Sequence, residues 1–255
     1  MIIDTHAHYD NFRFNKCRTE LLNTLSENNI KKILNPAISF ESNFAMRKVL
    51  SEYPQIFWAA GIHPVNAVSA KNEYLKDLYS FAEDKRTKAI GETGLDFFRV
   101  KSEEARQIQT EWFKKHIKLA LETNLPLVLH IRQADAEAIK ILKMFNNCFS
   151  GSVHCFCGDT KTASEYIDLG LAIGIGGAVT YENLPWLKET VSQIPKDSLL
   201  IETDSPFVKP VGYSEKLNSS LSLIHIADII GNLRNITAQT VIDISNTNAE
   251  RIFNL

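Results

Sequence analysis

Short apolar runs alternate with amphipathic stretches from one end of the chain to the other. The runs predict strands over residues 1–5, 32–36, 56–61, 87–92, 125–130, 151–154, 171–174 and 199–202. The stretches between them predict helices over 18–28, 39–52, 71–81, 103–123, 134–146, 160–169 and 184–193, with two more over 219–233 and 237–253. In the segment 103–123, Ile108, Trp112, His116 and Leu119 fall on one face at helical spacing. Strands interleaved with helices imply parallel pairing, because each parallel connection needs a crossover. Eight such units at this length fit a closed (β/α)8 barrel better than an open sheet. No Pro- or Gly-rich linker, charge block or low-complexity tract divides the chain, so residues 1–255 read as a single domain.

In a (β/α)8 barrel the chemistry sits at the C-terminal ends of the strands. Those ends carry a consistent set of residues. The first run leads into His6 and His8. The third ends in Gly61-Ile62-His63-Pro64 and the fourth in Gly91-Glu92-Thr93-Gly94. The fifth ends at His130, the sixth at His154 and the eighth in Glu202-Thr203-Asp204-Ser205-Pro206. Of the seven histidines, only His116 and His225 fall in helical stretches instead. Residues i and i+2 on an extended strand share a face, about 6–7 Å apart, so His6 and His8 can converge on one cation. Each strand-end residue alone could be an ordinary loop residue, but all of them would project into one mouth. His6, His8, His130 and His154 with Glu92 and Asp204 suit Zn²⁺, Mn²⁺, Mg²⁺ or a similar divalent ion. They suffice for two ions sharing a bridging carboxylate. Glu92 is the candidate bridge, and Asp204 the candidate for both ligation and proton transfer.

Composition narrows the partners. The net charge of −2 lacks the basicity of a protein that coats nucleic acid, so an anionic substrate must be held locally or by metal ions. Cys17, Cys148, Cys155 and Cys157 show no Cys-x-x-Cys spacing and read as reduced thiols of a cytoplasmic protein. No apolar run has the length of a membrane span, and no segment has the pattern of a secretory signal. No membrane association and no obligate protein partner are expected.

Taken in order, several segments resemble the TatD family of metal-dependent deoxyribonucleases, within the amidohydrolase-like barrels. They are Asp4-Thr5-His6-Ala7-His8, Gly61-Ile62-His63-Pro64, Gly91-Glu92-Thr93-Gly94-Leu95-Asp96, Leu129-His130-Ile131-Arg132, His154-Cys155-Phe156 with Gly158, Glu202-Thr203-Asp204-Ser205-Pro206, and Asn248-Ala249-x-Arg251-Ile252-Phe253. They span essentially the whole chain. The resemblance implies a barrel hydrolase in which His6 and His8 bind one metal, Glu92 bridges, His130 and His154 hold the second, and Asp204 completes the first. The sequence also departs from the family. The usual Arg-Asn-x-Pro reads Leu217-Asn218-Ser219-Ser220, the usual Ser-Arg-acid reads Ile131-Arg132-Gln133, and the usual His-Cys-Phe-Ser reads His154-Cys155-Phe156-Cys157. None removes a ligand; they bear on substrate preference.

Other residues at the mouth have two readings each. Arg132 can grip a phosphate in bidentate fashion, or pair with Asp135 or Glu137. His63 can touch substrate or buttress a ligand. Glu202 can orient a ligand or act as a buried pair partner. Phe97 and Phe98 can stack on a base or pack under their loop. Cys155 points by alternation toward the helical shell. The expected activity is hydrolysis of DNA phosphodiesters, as a 3′-5′ exonuclease on single-stranded ends. The alternative is C–N or ester hydrolysis by the same metal set, as in an aminoacyl-tRNA deacylase. A non-catalytic metal-dependent scaffold is the third reading, and retention of all six ligands argues against it. Many carbonyl-directed barrels bridge their metals with a modified lysine, so Glu92 at the end of the fourth run favours phosphodiesters.

Overall fold

The computed structural model describes residues 1–146 and 149–255; Cys148 lies outside the described residues. Eight parallel strands follow one another in sequence order around one sheet. They are β1 (Ile2–Asp4), β2 (Ile30–Pro36), β3 (Ile56–Ala60), β4 (Thr87–Asp96), β5 (Leu127–Arg132), β6 (Gly151–Val153), β7 (Ala172–Ile175) and β8 (Leu199–Ile201). The connecting helices are α1 (Arg18–Glu27), α2 (Phe40–Leu50), α3 (Pro64–Ala67), α4 (Tyr74–Ala82), α5 (Glu103–Thr123), α6 (Asp135–Lys143), α7 (Thr160–Asp168), α8 (Pro185–Gln193), α9 (Leu223–Arg234) and α10 (Ala238–Phe253). The chain is a (β/α)8 barrel, as the alternation predicts. Backbone bonds beyond the strand ends join β8 to β1. Asp204 N–H donates to His6 O at 2.9 Å, and His8 N–H donates to Ser205 O at 2.7 Å. The closing seam therefore fixes three of the expected metal ligands.

Two elements differ most from the sequence expectation, while β5 also runs on to Arg132 rather than ending at residue 130 and α6 ends at Lys143 rather than at residue 146. The fourth strand continues to Asp96 rather than stopping at residue 92. Its register against β5 shifts between Ile90 and Thr93. Gly91 and Gly94, at φ +154° and +136°, lie against the backbone of β5, where a Cβ would collide with Val128 O and His130 O. The short α3 was not foreseen. His63 caps it by accepting from Val65 N–H, and Pro64 occupies its first turn.

The barrel has an apolar end and a polar end. Ile3, Leu34, Ala59, Ala89, Val128, Ala172 and Leu200, each from a different strand, pack with Ala249, Ile252, Phe253 and Leu255. The C-terminal helix and tail thus close the end away from the ligands. Outside the strands, α5 buries Trp112, Phe113, His116, Ile117, Leu119 and Ala120, which agrees with its predicted face and leaves Ile108 partly buried. Among the described residues, no helix is long and apolar enough to cross a membrane.

His116 is more than a spacer on that face. Its Nδ1–H donates to Trp112 O at 2.8 Å, and its Nε2 accepts from Ile62 N–H at 3.1 Å, beside His63. Burial pushes its pKa down to about 4, against the opposing bond to Trp112. The unfolded chain therefore binds a proton that the folded chain refuses between pH 4 and 6.5. The contribution is complete above about pH 6.5 and is lost as pH falls toward 4, amounting to about 3 kcal/mol in all. Denaturant titrations across this range should show a steeper acid loss of stability in the wild type than in His116→Gln. Parallel curves for the two proteins would remove His116 as the cause.

Candidate metal centre and active site

All six expected ligands converge at the C-terminal mouth of the barrel. The carboxylate of Glu92 lies between two groups of imidazoles. Its Oε2 faces His6 Nε2 at 3.6 Å and His8 Nε2 at 3.5 Å. Its Oε1 faces His130 Nδ1 and His154 Nε2, each at 2.9 Å. Asp204 joins the first group, its Oδ1 lying 3.7 Å from His6 Nε2 and 3.3 Å from His8 Nε2. The two groups touch, because the rings of His6 and His154 stack with centroids 3.8 Å apart.

This donor set could hold metal. His6 Nε2 and His8 Nε2 point at one another across 3.2 Å, and His130 Nδ1 and His154 Nε2 across 3.0 Å. Nitrogen lone pairs crowded this way need a positive centre between them. The charges make the same demand. Burial opposes ionisation of Glu92, yet His154, His63 and the bonds from His130 and His154 hold its pKa well below the usual carboxylate range. Burial likewise opposes ionisation of Asp204, and His8, His6 and His154 outweigh it. In return, burial notwithstanding, Asp204 and Glu92 raise His8 to about 9, and Glu92 and Glu202 raise His154 well above its ordinary value. The carboxylates thus recruit positive charge as protons, which bound metal ions would displace.

The supporting residues come from neighbouring strands. Asp96, fully buried at the end of β4, places Oδ2 3.4 Å from His130 Nε2, leaving Nδ1 for the Glu92 side. It stays ionised, with a pKa of about 2: burial opposes this, and His130 and the Arg99 N–H prevail. Glu202 Oε1 lies 3.6 Å from His154 Nδ1 and also accepts from Cys155 N–H. Both carboxylates orient ligand imidazoles, as such sites require. The sequence offered Asp96 only as part of a motif. Its role depends on β4 running four residues past Glu92.

Beneath His6, Asp4 is fully buried and holds three elements together. It accepts from His6 N–H at 3.2 Å, from Thr203 N–H and Oγ1–H at 3.1 and 2.7 Å, and from Ser220 Oγ–H at 2.6 Å. Burial pushes its pKa up to about 7, with the bonds from Ser220, Thr203 and His6 opposing. Ser220 stands where the family pattern has Pro. Its N–H donates to Tyr9 Oη at 2.8 Å, a bond that Pro could not make. The departure thus builds a local network without touching a ligand.

The remaining expected residues separate clearly. His63 Nδ1 accepts from Val65 N–H, so Nε2 carries the proton and faces Glu92 Oε1 at 3.6 Å. Burial lowers its pKa to about 3, with the charges of His130 and His154 adding to this against Glu92. In that tautomer His63 is a donor to a carboxylate or a substrate oxygen. Arg132 makes neither of the ion pairs considered from sequence. Asp135 accepts from Tyr166 Oη, and Glu137 pairs with Lys140. The Arg132 guanidinium instead lies 3.9 Å over the half-exposed ring of Phe98, while Phe97 packs against the core. Cys155 corrects the expectation from alternation. It follows the end of β6 at φ +48° and borders the mouth rather than the helical shell. Cys17, Cys155 and Cys157 are free thiols. His8, Glu92, His130, His154 and Asp204 floor a cavity of about 900 Å³, walled by Arg99, Arg132, Trp186 and Phe207 among others, while His6 is fully buried.

A family model described as TatD related DNase matches residues 3–254. The metal-dependent hydrolase YabD of Bacillus subtilis, itself uncharacterized, is 33% identical over 258 residues, covering 100% of both chains. The uncharacterized metal-dependent hydrolase BU355 of Buchnera aphidicola is 31% identical, covering 100% of this chain and 99% of the relative. The crystal structure of YjjV, a TatD homolog from Escherichia coli, superposes with a TM-score of 0.91 at 29% identity, covering 100% of this chain and 98% of that one. The fold, the site and these similarities agree: the chain belongs to the TatD-related DNase family.

Proposed function

We propose that the chain is a metal-dependent hydrolase that cleaves DNA phosphodiesters, acting as a 3′-5′ exonuclease on single-stranded ends. One observation carries the reading: the two oxygens of Glu92 are divided between two imidazole groups on the floor of a cavity whose wall holds Arg132, which has no ion-pair partner among the described residues. Two divalent ions, Zn²⁺, Mg²⁺ or Mn²⁺, held by His6, His8, Glu92, His130, His154 and Asp204 would polarise the phosphoryl oxygens and bring a water's pKa toward neutrality.

The protein's own groups do the rest. Arg132, its plane set by the Phe98 ring, presents a rigid fork to the non-bridging oxygens of one phosphate. His63 Nε2–H adds a neutral donor just beyond β3, its ring 4.2 Å from that of His130. Water attacks phosphorus, its oxygen forms the new P–O bond, and its proton passes to the ionised carboxylate of Asp204. The P–O bond to the leaving sugar breaks, the leaving oxygen takes a proton from solvent, and Asp204 returns its proton to solvent. Carbonyl hydrolysis through a modified lysine has no support on β4, whose one lysine, Lys88, turns its Nζ to the ring of Phe57 at 5.7 Å.

Labelled single-stranded oligonucleotides incubated with and without chelator test this reading. Metal-dependent shortening from the 3′ end is expected. Activity only on aminoacyl or amide substrates would favour the carbonyl alternative. Glu92→Ala should lose bound metal and turnover together, and elemental analysis showing full metal with normal activity would contradict the bridge. Arg132→Ala should lower kcat/KM by roughly 10- to 100-fold with metal content unchanged, the effect of losing a charge-assisted hydrogen bond. Asp204→Asn should remain folded and keep metal at His130 and His154, with activity down roughly 10²–10⁴-fold. A folded, metal-replete Asn variant with the wild-type rate and pH profile would assign the base elsewhere.

A further inference from the structure

We propose that the seam between β8 and β1 carries a second nucleotide subsite, in which Phe207 stacks on a base and Arg13 holds the adjoining phosphate. This rests on the phosphodiesterase reading above and extends it to how the substrate is gripped. Phe207 lies three residues beyond Asp204 and is 40% exposed at the cavity wall. Its backbone is fixed by the turn that places Asp204. Phe207 N–H donates to Asp204 O at 2.8 Å, and Phe207 O accepts from Asn218 Nδ2 at 2.6 Å. The ring stands 6.0 Å from the ring of His8, at 69° to it. A base stacked on Phe207 would thus lie beside the metal ligands.

Arg13 sits on the turn Phe12–Phe14 after β1, with its guanidinium carbon 5.3 Å from the centre of the Phe207 ring. The turn is anchored. Asn11 Oδ1 accepts from Arg13 N–H at 3.0 Å, and buried Phe14 stacks on Tyr9 at 5.0 Å. Among the described residues, the Arg13 guanidinium makes no ion pair and no hydrogen bond to the protein. It is an oriented cation with its donors free, a good match to a phosphate.

The same arrangement recurs across the mouth. Phe98, six residues beyond Glu92, is 44% exposed, and Arg132 from the next strand covers it at 3.9 Å. In the strand order, the β4–β5 seam and the β8–β1 seam are four strands apart and face each other across the barrel. Glu92 and its imidazoles lie between them. Both seams offer a guanidinium for a phosphate, and the β8–β1 seam adds the cavity-lining ring of Phe207 for a base, a pairing suited to single strands, whose bases are free to stack. A strand held at both seams would lay an intervening phosphodiester over the centre, with a nucleotide on either side.

Binding can be read without turnover. Fluorescence anisotropy with chelated, metal-free protein and labelled single-stranded oligothymidylate should give a Kd raised roughly 5- to 100-fold by Phe207→Ala, the loss of one base stack. Phe207→Trp should restore affinity. Arg13→Ala should weaken binding and reduce the salt dependence by about one phosphate contact. Against an oligomer of the same length whose residues are abasic, Phe207→Ala should cost little, because no base remains to stack. Wild-type affinity in both alanine variants, or equal losses on normal and abasic strands, overturns the subsite. If metal-loaded wild type still shortens the oligonucleotide in that case, the phosphodiesterase reading stands alone. If wild type neither binds nor cleaves it, both fall.

Discussion

The structure depends on the burial of one carboxylate. Glu92 is 3% exposed, and its negative charge is tolerable only because imidazoles approach both of its oxygens. An unpaired charge at this depth would be prohibitive. The compensation propagates outward: Asp96 and Glu202 orient His130 and His154, and Asp204 faces His6 and His8. Each added carboxylate increases the demand for positive charge at the centre. That demand is one a bound metal ion would meet, and it explains why His8 and His154 hold protons so strongly.

The barrel makes this concentration of charge possible by dividing its labour between two ends. At one end, small and branched side chains from seven strands pack against Phe253 and its neighbours. That end is dry and supplies hydrophobic stabilisation. At the other end, strand termini carry polar groups whose backbone positions are fixed by the sheet beneath them. The β8–β1 closure is where the two roles meet. Asp4, Thr203 and Ser220 form a buried hydrogen-bonded knot directly under His6, so closure of the barrel and placement of the ligands share the same bonds.

Selectivity for a substrate belongs to the rim. The overall charge of −2 does not draw in a polyanion, so the proposed substrate would be held by a few oriented groups. Arg132 and Arg13 each lie on an aromatic ring rather than against a carboxylate. Stacking restrains the guanidinium while leaving its donors uncommitted, which lowers the entropy lost when a phosphate binds. The departures from the family pattern lie in this outer region and beneath it, not among the ligands.

The sequence by itself determined the eight-unit alternation, the barrel and the identity of the converging residues. Its signals are local: apolar periodicity marks each strand and helix, and a polar residue at each strand end marks the mouth. His6, His8, Glu92, His130, His154 and Asp204 were legible on those grounds. Tertiary structure alone decided what orients them. Asp96 reaches His130 across 34 positions and Asp4 reaches Ser220 across 216, and no local period encodes such pairs. Alternation also fails where the backbone leaves the extended region, as at Cys155 and Asp204, with φ of +48° and +52°. There the turn, not the strand, sets the direction of the side chain. The pairing of Arg13 with Phe207 has the same origin, since only closure of the barrel makes the first and last strands neighbours.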